Sequence, residues 1–228
     1  MSKDKPAGVL RVRATPENVQ KSYGALSKFY TFLEGKFEQR LREKGLKYLA
    51  AKEGEIVLEI GTGTGFALRE IARSVGASGK AHGLDLTPEM LHLTEKGLRR
   101  AGLLNRVELD EGDARTMRYG DDIFDAVYMS ATLELFDTPD IDKVLGEVKR
   151  VLKPQGRLVV ASMSKEGRED FWFVRLYEWL HQKLPKYATC RPIYLEQVVK
   201  DASFDIVKSE ECLIMKLVPM KLVLATAG

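Results

Sequence analysis

The chain has 228 residues, of which 44% are hydrophobic and 30% charged, and its formal net charge at pH 7 is +3. This mix is typical of a globular protein with a substantial buried core, and the mild charge without a long basic run argues against a nucleic-acid partner. Two cysteines, Cys190 and Cys212, cannot form a disulfide framework, and no Cys/His cluster has zinc-site spacing. We therefore expect a reducing compartment and no metal site.

The two ends of the chain give no membrane or export signal. The first residues, MSKDKPAGVLRVR, are polar and charged, and they lack the apolar core of a signal peptide. The apolar stretch 212–228 is interrupted by Lys216, Pro219 and Lys221, which makes it too short and too charged to span a bilayer. We expect a cytoplasmic protein without a transmembrane segment, whose mild positive charge is compatible with peripheral contact with an anionic membrane.

Residues 1–51 are predicted to form an N-terminal helical cap, within which residues 16–51 have helical periodicity. Val19, Tyr23, Leu26 and Tyr30 recur at spacings of three and four, which predicts a helix over residues 17–33. A second helix, KFEQRLREKGLKYLA, is predicted after Gly35.

Strand-like and helix-like runs alternate over residues 52–167, the predicted core. The strand-like runs are EIVLEI, KAHGLDL, RVELDEG, FDAVYMS and RLVVASM, and the helix-like runs are GFALREIARSV, PEMLHLTEKGLRRAG and DIDKVLGEVKRVL. Pro88 near the start of one helix and Gly102 just past its end fit the usual positions of these residues. This alternation predicts a parallel sheet with helices on both faces.

The last part of the chain departs from the alternation. Residues 168–203 predict two helices joined by an irregular segment that contains proline, and residues 204–228 predict two more strands with a connection near Pro219. We therefore predict one domain over residues 1–228. Its fold is α/β, with a doubly wound, mostly parallel, seven-stranded Rossmann-like sheet, N-terminal helices and a helical cover before the last two strands.

The stretch IVLEIGTGTGFALREIA places three glycines, Gly61, Gly63 and Gly65, at the first strand-to-helix turn. Ligands of open α/β sheets bind beyond the carboxyl ends of the strands, and glycines allow close approach of the backbone. The dinucleotide fingerprint requires a small residue where this chain has Phe66. Glu59, two residues before the loop, disfavours a pyrophosphate and favours a cationic ligand group.

Two further acids follow the next two predicted strands. Asp85 lies 20 residues after Gly65, where a carboxylate can accept hydrogen bonds from two ribose hydroxyls, a role that nicotinamide-binding proteins share. Asp113 follows the third strand, where a carboxylate can accept from the exocyclic amine of adenine. Both acids are compatible with an adenosine-containing ligand.

The motifs E-x-G-x-G-x-G, GLDLTPEML, EGDAR, FDAVYMS and VLKPQGRLVV together resemble those of class I S-adenosylmethionine-dependent methyltransferases, over roughly residues 52–163. The resemblance implies S-adenosyl-L-methionine as the cofactor and a C-terminal antiparallel hairpin. It also implies that the glycine loop cradles the methionine part and that Asp85 holds the ribose. Leu86 and Met90 would then flank the adenine, Asp113 and Ala114 would contact its edge, and residues 129–131 would line the sulfonium side. The implied cofactor-binding residues are Glu59, Gly61, Thr62, Gly63, Gly65, Asp85, Leu86, Met90, Asp113, Ala114 and Ser130.

Within that family, GDARTMRYGDDIFDAVYMS followed by VKRVLKPQGRLVV is similar to quinone-biosynthesis C-methyltransferases and soluble phosphatidylethanolamine N-methyltransferases. The resemblance implies a small or lipid-like, apolar acceptor: a lipid amine, a quinone-type ring or a similar metabolite. After the fourth strand the chain has MSATLELF in place of the Asn/Asp-Pro-Pro-aromatic motif, which disfavours methylation of DNA bases and amides. It also lacks the Gly-x-Arg-Asn run of the quinone enzymes there.

The acceptor pocket is expected from helix 17–33, loop 130–137 and segment 168–203. Five residues are candidates for catalysis: Glu134 to steer an amine or act as a base, Tyr23 and Tyr30 to gate the pocket, His181 as a base, and Arg191 to anchor an anionic head. The alternatives are core packing for the two tyrosines, a surface or packed position for His181, an ion pair with an acid for Arg191, and a solvent-facing loop position for Glu134.

An aromatic stripe is expected on a helix of the cover. Trp172, Leu176, Trp179 and Leu180 fall on one helical side, and they either pack on the sheet, cover an apolar substrate or touch a membrane. Two other functions remain as alternatives for the whole chain. A nicotinamide-dependent oxidoreductase is disfavoured by Phe66 and Glu59, and a non-catalytic nucleoside-binding scaffold is disfavoured by the intact loop and the two downstream acids.

Overall fold

The computed structural model describes residues 39–183, 190–214 and 217–228. Within these ranges the chain forms a sheet with helices on both faces, and two short 3-10 turns at Leu104–Arg106 and Leu133–Leu135. The strands are β1 (Ile56–Ile60), β2 (Lys80–Asp85), β3 (Val107–Glu111), β4 (Phe124–Ser130), β5 (Leu152–Met163), β6 (Phe204–Ile214) and β7 (Val218–Ala227). The helices are α1 (Gln39–Leu49), α2 (Phe66–Ser74), α3 (Pro88–Arg100), α4 (Thr138–Val151), α5 (Trp172–Lys183) and α6 (Leu195–Asp201).

The strands form one seven-stranded sheet in the order β3-β2-β1-β4-β5-β7-β6. Strands β1 to β5 are parallel, whereas β7 runs antiparallel to both β5 and β6. The order reverses direction between β1 and β4, which creates the switch point where open α/β sheets bind ligands. The predicted fold class, including the final antiparallel pair, is confirmed.

The central strands are covered on both faces, and this explains their continuous apolar sequences. Alternate residues of β1 point to opposite faces, so Leu58 and Ile60 join one buried cluster while Val57 joins the other. The first cluster contains the apolar faces of α4 and α6, and the second contains those of α1, α2 and α3. The sheet therefore separates two hydrophobic cores.

Helix α1 lies very close to the sheet. A Cβ added to Gly45 would lie 2.9 Å from Cε2 of Tyr128 on β4, so a larger residue at this position would push the helix outward. Leu41 and Leu49 of the same helix are buried. This packing fixes the position of Arg42, one turn before Gly45, beside the ends of the strands.

Three parts of the predicted organisation need comment. The connection between the last two strands precedes Val218, so Pro219 lies inside β7, where its carbonyl accepts a hydrogen bond from Ser164 N at 3.0 Å. The segment LKPQG, residues 152–156, was expected to end the preceding helix and turn the chain into a strand, but it belongs to β5, which begins at Leu152 directly after α4. The predicted helix 17–33, with Tyr23 and Tyr30, lies outside the described residues.

The aromatic stripe of α5 is largely exposed. Trp172, Leu176 and Trp179 are 56%, 44% and 54% exposed, whereas Val174 and His181 of the same helix are buried. The stripe therefore does not pack on the sheet, so the first of its three predicted roles is not supported. No helix of the described ranges has the length and apolar character needed to cross a membrane.

Candidate functional site

A cavity of about 290 Å³ lies at the carboxyl ends of the parallel strands, at the switch point between β1 and β4. Its wall is formed by the glycine loop, the start of α2 and the segments that follow β2, β3 and β4. The structure brings ten of the eleven predicted cofactor-binding residues to this wall: Glu59, Gly61, Thr62, Gly63, Asp85, Leu86, Met90, Asp113, Ala114 and Ser130.

Gly65, the remaining predicted residue, supports the loop from behind. Its φ of 73° is left-handed, and a Cβ added there would lie 2.8 Å from Cγ2 of Thr94 on α3. The Thr94 hydroxyl in turn donates to the carbonyl of Gly63 at 3.1 Å. Gly65 is therefore needed for the close packing of the loop on α3, and it does not itself line the cavity.

The glycine loop is held by hydrogen bonds within the protein. Gly61 N donates to Leu84 O at 2.8 Å, and Gly65 N donates to Thr62 O at 2.8 Å. Gly63 N donates to Asp85 Oδ2 at 3.3 Å. Gly61 has a left-handed φ of 78°, and a Cβ there would lie 2.8 Å from Cγ2 of Thr132. The loop is thus preformed, and Gly61 and Gly63 present only backbone to the cavity.

Asp85 is the last residue of β2 and is partly buried. Its Oδ1 accepts from Thr87 N at 2.9 Å, and its Oδ2 accepts from Gly63 N and, at 3.4 Å, from the Thr62 hydroxyl. Burial raises the pKa of Asp85, although these three donors oppose the shift. The carboxylate retains lone pairs for further donors at the cavity wall.

Asp113 is held by a guanidinium that sequence reasoning did not assign. Arg115 contacts both of its carboxylate oxygens through Nε at 3.0 Å, and its Nη1 donates to Asp140 Oδ2 at 2.8 Å. Burial alone would raise the pKa of Asp113, but the Arg115 side chain and backbone N–H outweigh it and lower that pKa. The pair Arg115–Asp140 joins α4 to the loop after β3, a contact over 25 positions that no local pattern signals.

Glu59 is buried on the cavity wall, with 3% of its surface exposed. Arg42, which α1 supplies to the same wall, lies with its guanidinium carbon 5.9 Å from the ring centroid of Phe66. The sequence placed several basic residues in this helix and gave no reason to select Arg42, since the choice depends on how α1 is rotated against the sheet.

Glu134, the predicted base, is buried away from the cavity wall. It belongs to the 3-10 turn after β4, where its Oε2 accepts from the Ser162 hydroxyl at 2.8 Å and its Oε1 accepts from Met163 N at 3.2 Å. The tight turn directs this side chain toward β5, while the next residues, Leu135 and Phe136, line the cavity. This placement does not support a role of Glu134 as a base at the cavity, and it is not a solvent-facing loop residue either.

Of the other catalytic candidates, His181 and Arg191 lie within the described residues, and neither lines the cavity. His181 is buried on α5, and Arg191 is completely buried after it. Arg191 Nη2 donates to the carbonyl of Phe136 at 2.8 Å and contacts the Thr138 hydroxyl at 3.3 Å. Arg191 therefore holds the backbone behind the cavity wall, which is not the predicted direct contact with an anionic head.

Comparison with known proteins agrees with this geometry. A family model described as "Methyltransferase domain" matches residues 57–156. The "Demethylmenaquinone methyltransferase" of Bacillus subtilis is 31% identical over 167 residues, which are 73% of this chain and 68% of that protein. The chain belongs to the S-adenosylmethionine-dependent methyltransferases. The predicted family is confirmed, and its cofactor is S-adenosyl-L-methionine.

Two further comparisons place this methyltransferase more closely. A protein of the same name from Lactobacillus johnsonii is 38% identical over 124 residues, which are 54% of this chain and 50% of that protein. The chain thus spans about half the length of that relative. The crystal structure titled a SAM dependent methyltransferase from Aquifex aeolicus is 25% identical, with a TM-score of 0.64 over 95% of this chain and 100% of that one.

The cavity of this methyltransferase fits the cofactor in its chemistry. S-adenosylmethionine has a sulfonium and an amine, both cationic, and the wall carries the carboxylates of Glu59 and Asp85. The ribose hydroxyls are donors from which a carboxylate can accept hydrogen bonds, and Gly61 and Gly63 line the cavity with backbone alone. Because S-adenosylmethionine has no phosphate, its site needs no phosphate-binding loop. This agrees with the presence of Phe66 where the dinucleotide fingerprint requires a small residue.

Proposed function

We propose that this methyltransferase transfers the methyl group of S-adenosylmethionine to a small or lipid-like, apolar acceptor, for which a reduced quinone-type ring is the first candidate. The observation that carries the proposal is the meeting of Glu59, Asp85 and Asp113 on the wall of one cavity, at the ends of three neighbouring strands. This arrangement matches the size and polarity of one nucleoside joined to an amino acid.

In the proposed binding mode the cofactor extends along the strand ends. Asp85 accepts hydrogen bonds from the ribose hydroxyls, and Asp113 and Ala114 contact the adenine edge. Leu86 and Met90 supply apolar contacts to the adenine faces. The glycine loop contacts the methionine part, and Ser130 lies on the sulfonium side.

The bound cofactor supplies a methyl group on a sulfonium, which is already an activated leaving group. The task of the chain is to align the acceptor with that methyl group and to exclude water. Such positioning can contribute about 7–11 kcal/mol to the lowering of a barrier. The preformed glycine loop and the Arg115–Asp113 pair, both held by internal hydrogen bonds, support this role.

The wall after β4 supports an apolar acceptor. Leu135 and Phe136 line the cavity there, and the Phe136 backbone is held by the buried Arg191. A reduced quinone-type ring becomes nucleophilic at carbon when a ring hydroxyl loses its proton, whereas the oxidised ring does not. Similarity to the demethylmenaquinone methyltransferases of Bacillus subtilis and Lactobacillus johnsonii favours this class of acceptor over a lipid amine.

The exposed side chains of α5 support peripheral contact with a membrane, from which a lipid-like acceptor would arrive. Trp172, Leu176 and Trp179 present apolar surface, and tryptophan is favoured at membrane–water interfaces. Sedimentation with vesicles of anionic and neutral lipids tests this contact. We expect the protein to bind and a Trp172→Ser/Trp179→Ser variant to bind at least several-fold more weakly, and equal binding of the two proteins would contradict the contact.

The acceptor is tested with the full chain and S-adenosylmethionine carrying a tritiated methyl group. The acceptors are a prenylated 1,4-naphthoquinol, the oxidised quinone and phosphatidylethanolamine, and the Asp85→Ala variant is the inactive control. We expect a labelled, organic-soluble product with the quinol only. Label in phosphatidylethanolamine would instead identify the acceptor as a lipid amine. If the wild-type chain binds the cofactor but labels none of these acceptors and nothing in a cell extract, the result would favour the non-catalytic nucleoside-binding scaffold.

A further inference from the structure

The charges on the cavity wall are unevenly distributed. Among the described lining residues there are five carboxylates and two guanidinium groups: Glu59, Asp85, Asp113, Asp137, Asp140, Arg42 and Arg115. Arg115 is hydrogen-bonded to two of these carboxylates, at the end where we place adenine. Arg42 lies beside Phe66, the residue that directly follows the glycine loop, where we place the methionine part.

The cofactor has one anionic group, the α-carboxylate of its methionine part. A helix-start loop often receives an anion through its backbone N–H groups. Here the N–H groups of Gly61, Gly63 and Gly65 donate to protein acceptors, and one of these acceptors is the carboxylate of Asp85 on the cavity wall. The buried Glu59 on the same wall would also repel the carboxylate. A cationic donor on this wall would therefore favour binding of the carboxylate.

We propose that Arg42 binds the α-carboxylate of the methionine part, while Glu59 faces its amine. This inference rests on the proposed function, because it uses the proposed direction of the cofactor along the cavity. A guanidinium matches a carboxylate with two parallel hydrogen bonds, which a single ammonium does not reproduce. Arg42 thereby selects ligands that carry an intact amino-acid group.

The fold holds Arg42 in position for this contact. Helix α1 packs against β4 through Gly45, where a Cβ would contact the Tyr128 ring at 2.9 Å, and Arg42 lies one turn earlier on that helix. The Phe66 ring supports the guanidinium from the side of α2. Helix α1 therefore closes the methionine end of the site in addition to covering the sheet.

A purely structural role makes a different prediction. If Arg42 served only to balance the negative charge of Glu59, its replacement would weaken every ligand of the cavity to a similar degree. If it binds the ligand carboxylate, only ligands that contain this group are affected. The two roles are separated by ligands that differ in the amino-acid part alone.

The experiment is calorimetric titration of the full chain with three ligands. S-adenosylhomocysteine has the amine and the carboxylate, its decarboxylated analogue keeps only the amine, and 5′-deoxy-5′-methylthioadenosine has neither. The variants are Arg42→Gln and Arg42→Lys. The matched control is Arg40→Gln, which removes the same group from an exposed position of the same helix.

We expect Arg42→Gln to lower the affinity for S-adenosylhomocysteine by about 10- to 100-fold and to leave the two other ligands within about threefold. Arg42→Lys should restore part of the loss, and Arg40→Gln should change none of the affinities. An equal loss for all three ligands, or no loss for any, would overturn the role of Arg42. If the wild-type chain bound none of the three ligands, both the role of Arg42 and the proposed function would be overturned.

Discussion

Replacement of Asp85 by asparagine should separate the stability of this protein from its affinity for the cofactor. Burial raises the pKa of Asp85 above its ordinary value in spite of the donors Thr87, Gly63 and Thr62. The folded protein therefore holds a proton at this site more tightly than the unfolded chain does. The stability contributed by this group is greatest at acidic pH and is lost as the pH rises through the raised pKa, so that the ionised carboxylate destabilises the fold at neutral pH.

The amide introduced by Asp85→Asn would keep an oxygen for Thr87 N at 2.9 Å and would lose mainly the long bond from Gly63 N at 3.3 Å. Because the neutral side chain avoids the burial penalty, we expect the unliganded variant to be equal to the wild type or more stable by up to about 1 kcal/mol, a rise in Tm of about 2–4 °C. Affinity for S-adenosylhomocysteine should fall by about 10- to 150-fold, because hydrogen bonds to a charged group contribute about 1.5–3 kcal/mol.

The assay for Asp85→Asn combines thermal unfolding at about pH 7 and pH 5 with calorimetric titration of S-adenosylhomocysteine. The stability gain should be smaller at the lower pH, since protonation relieves the penalty in the wild type. The control is Asp122→Asn, an exposed position with a φ of 56°, where asparagine is well tolerated. A variant that lost several degrees of Tm and kept its affinity would refute the reasoning.

Three other changes test separate features of the fold. Gly61→Ala should destabilise the protein by about 1–3 kcal/mol in urea unfolding and weaken cofactor binding, because of its left-handed φ and the contact with Thr132, whereas Gly146→Ala in α4 should stabilise it by up to about 1 kcal/mol. Burial lowers the pKa of His82, so its contribution to the free energy of unfolding should be complete above about pH 6.5 and should decrease as the pH falls below that value. His82→Phe should therefore reduce the difference between the urea midpoints at about pH 7.5 and about pH 5.5. An unchanged difference would exclude this histidine as the source of the pH dependence. Arg191→Met leaves the Phe136 carbonyl without its buried donor, so we expect the free energy of unfolding to fall by about 1–3 kcal/mol. The KM for the acceptor should rise, while the affinity for S-adenosylhomocysteine should stay unchanged. An acceptor KM equal to that of the wild type would contradict the positioning role.

The cofactor half of the site was largely predictable because it depends on local patterns. Each of Glu59, Asp85 and Asp113 is at or just beyond the end of a strand, and parallel strands carry such positions to one edge of the sheet. The exception, Gly65, still occupies the predicted loop, but its role depends on the contact with Thr94 of α3. The spacing of the sequence indicated the position of this glycine but not its contact with Thr94.

The acceptor half was not predictable in the same way. Glu134, Leu135 and Phe136 are consecutive, yet the first is buried toward β5 and the next two line the cavity. The direction of each side chain is decided by a single 3-10 turn. Arg191 was predicted to anchor an anionic head, whereas its observed contact with the Phe136 carbonyl joins positions 55 apart and could only be found in the folded chain.

The sequence by itself determined the order of strands and helices along the chain, the class of the sheet and the position of the glycine loop that lines the cavity. Hydrophobic periodicity and glycine spacing are local properties, and they encode these features directly. The tertiary structure decided which charged side chains share the cavity, as Arg42 and Arg115 show, because the rotation of a helix against the sheet is set by packing between distant residues.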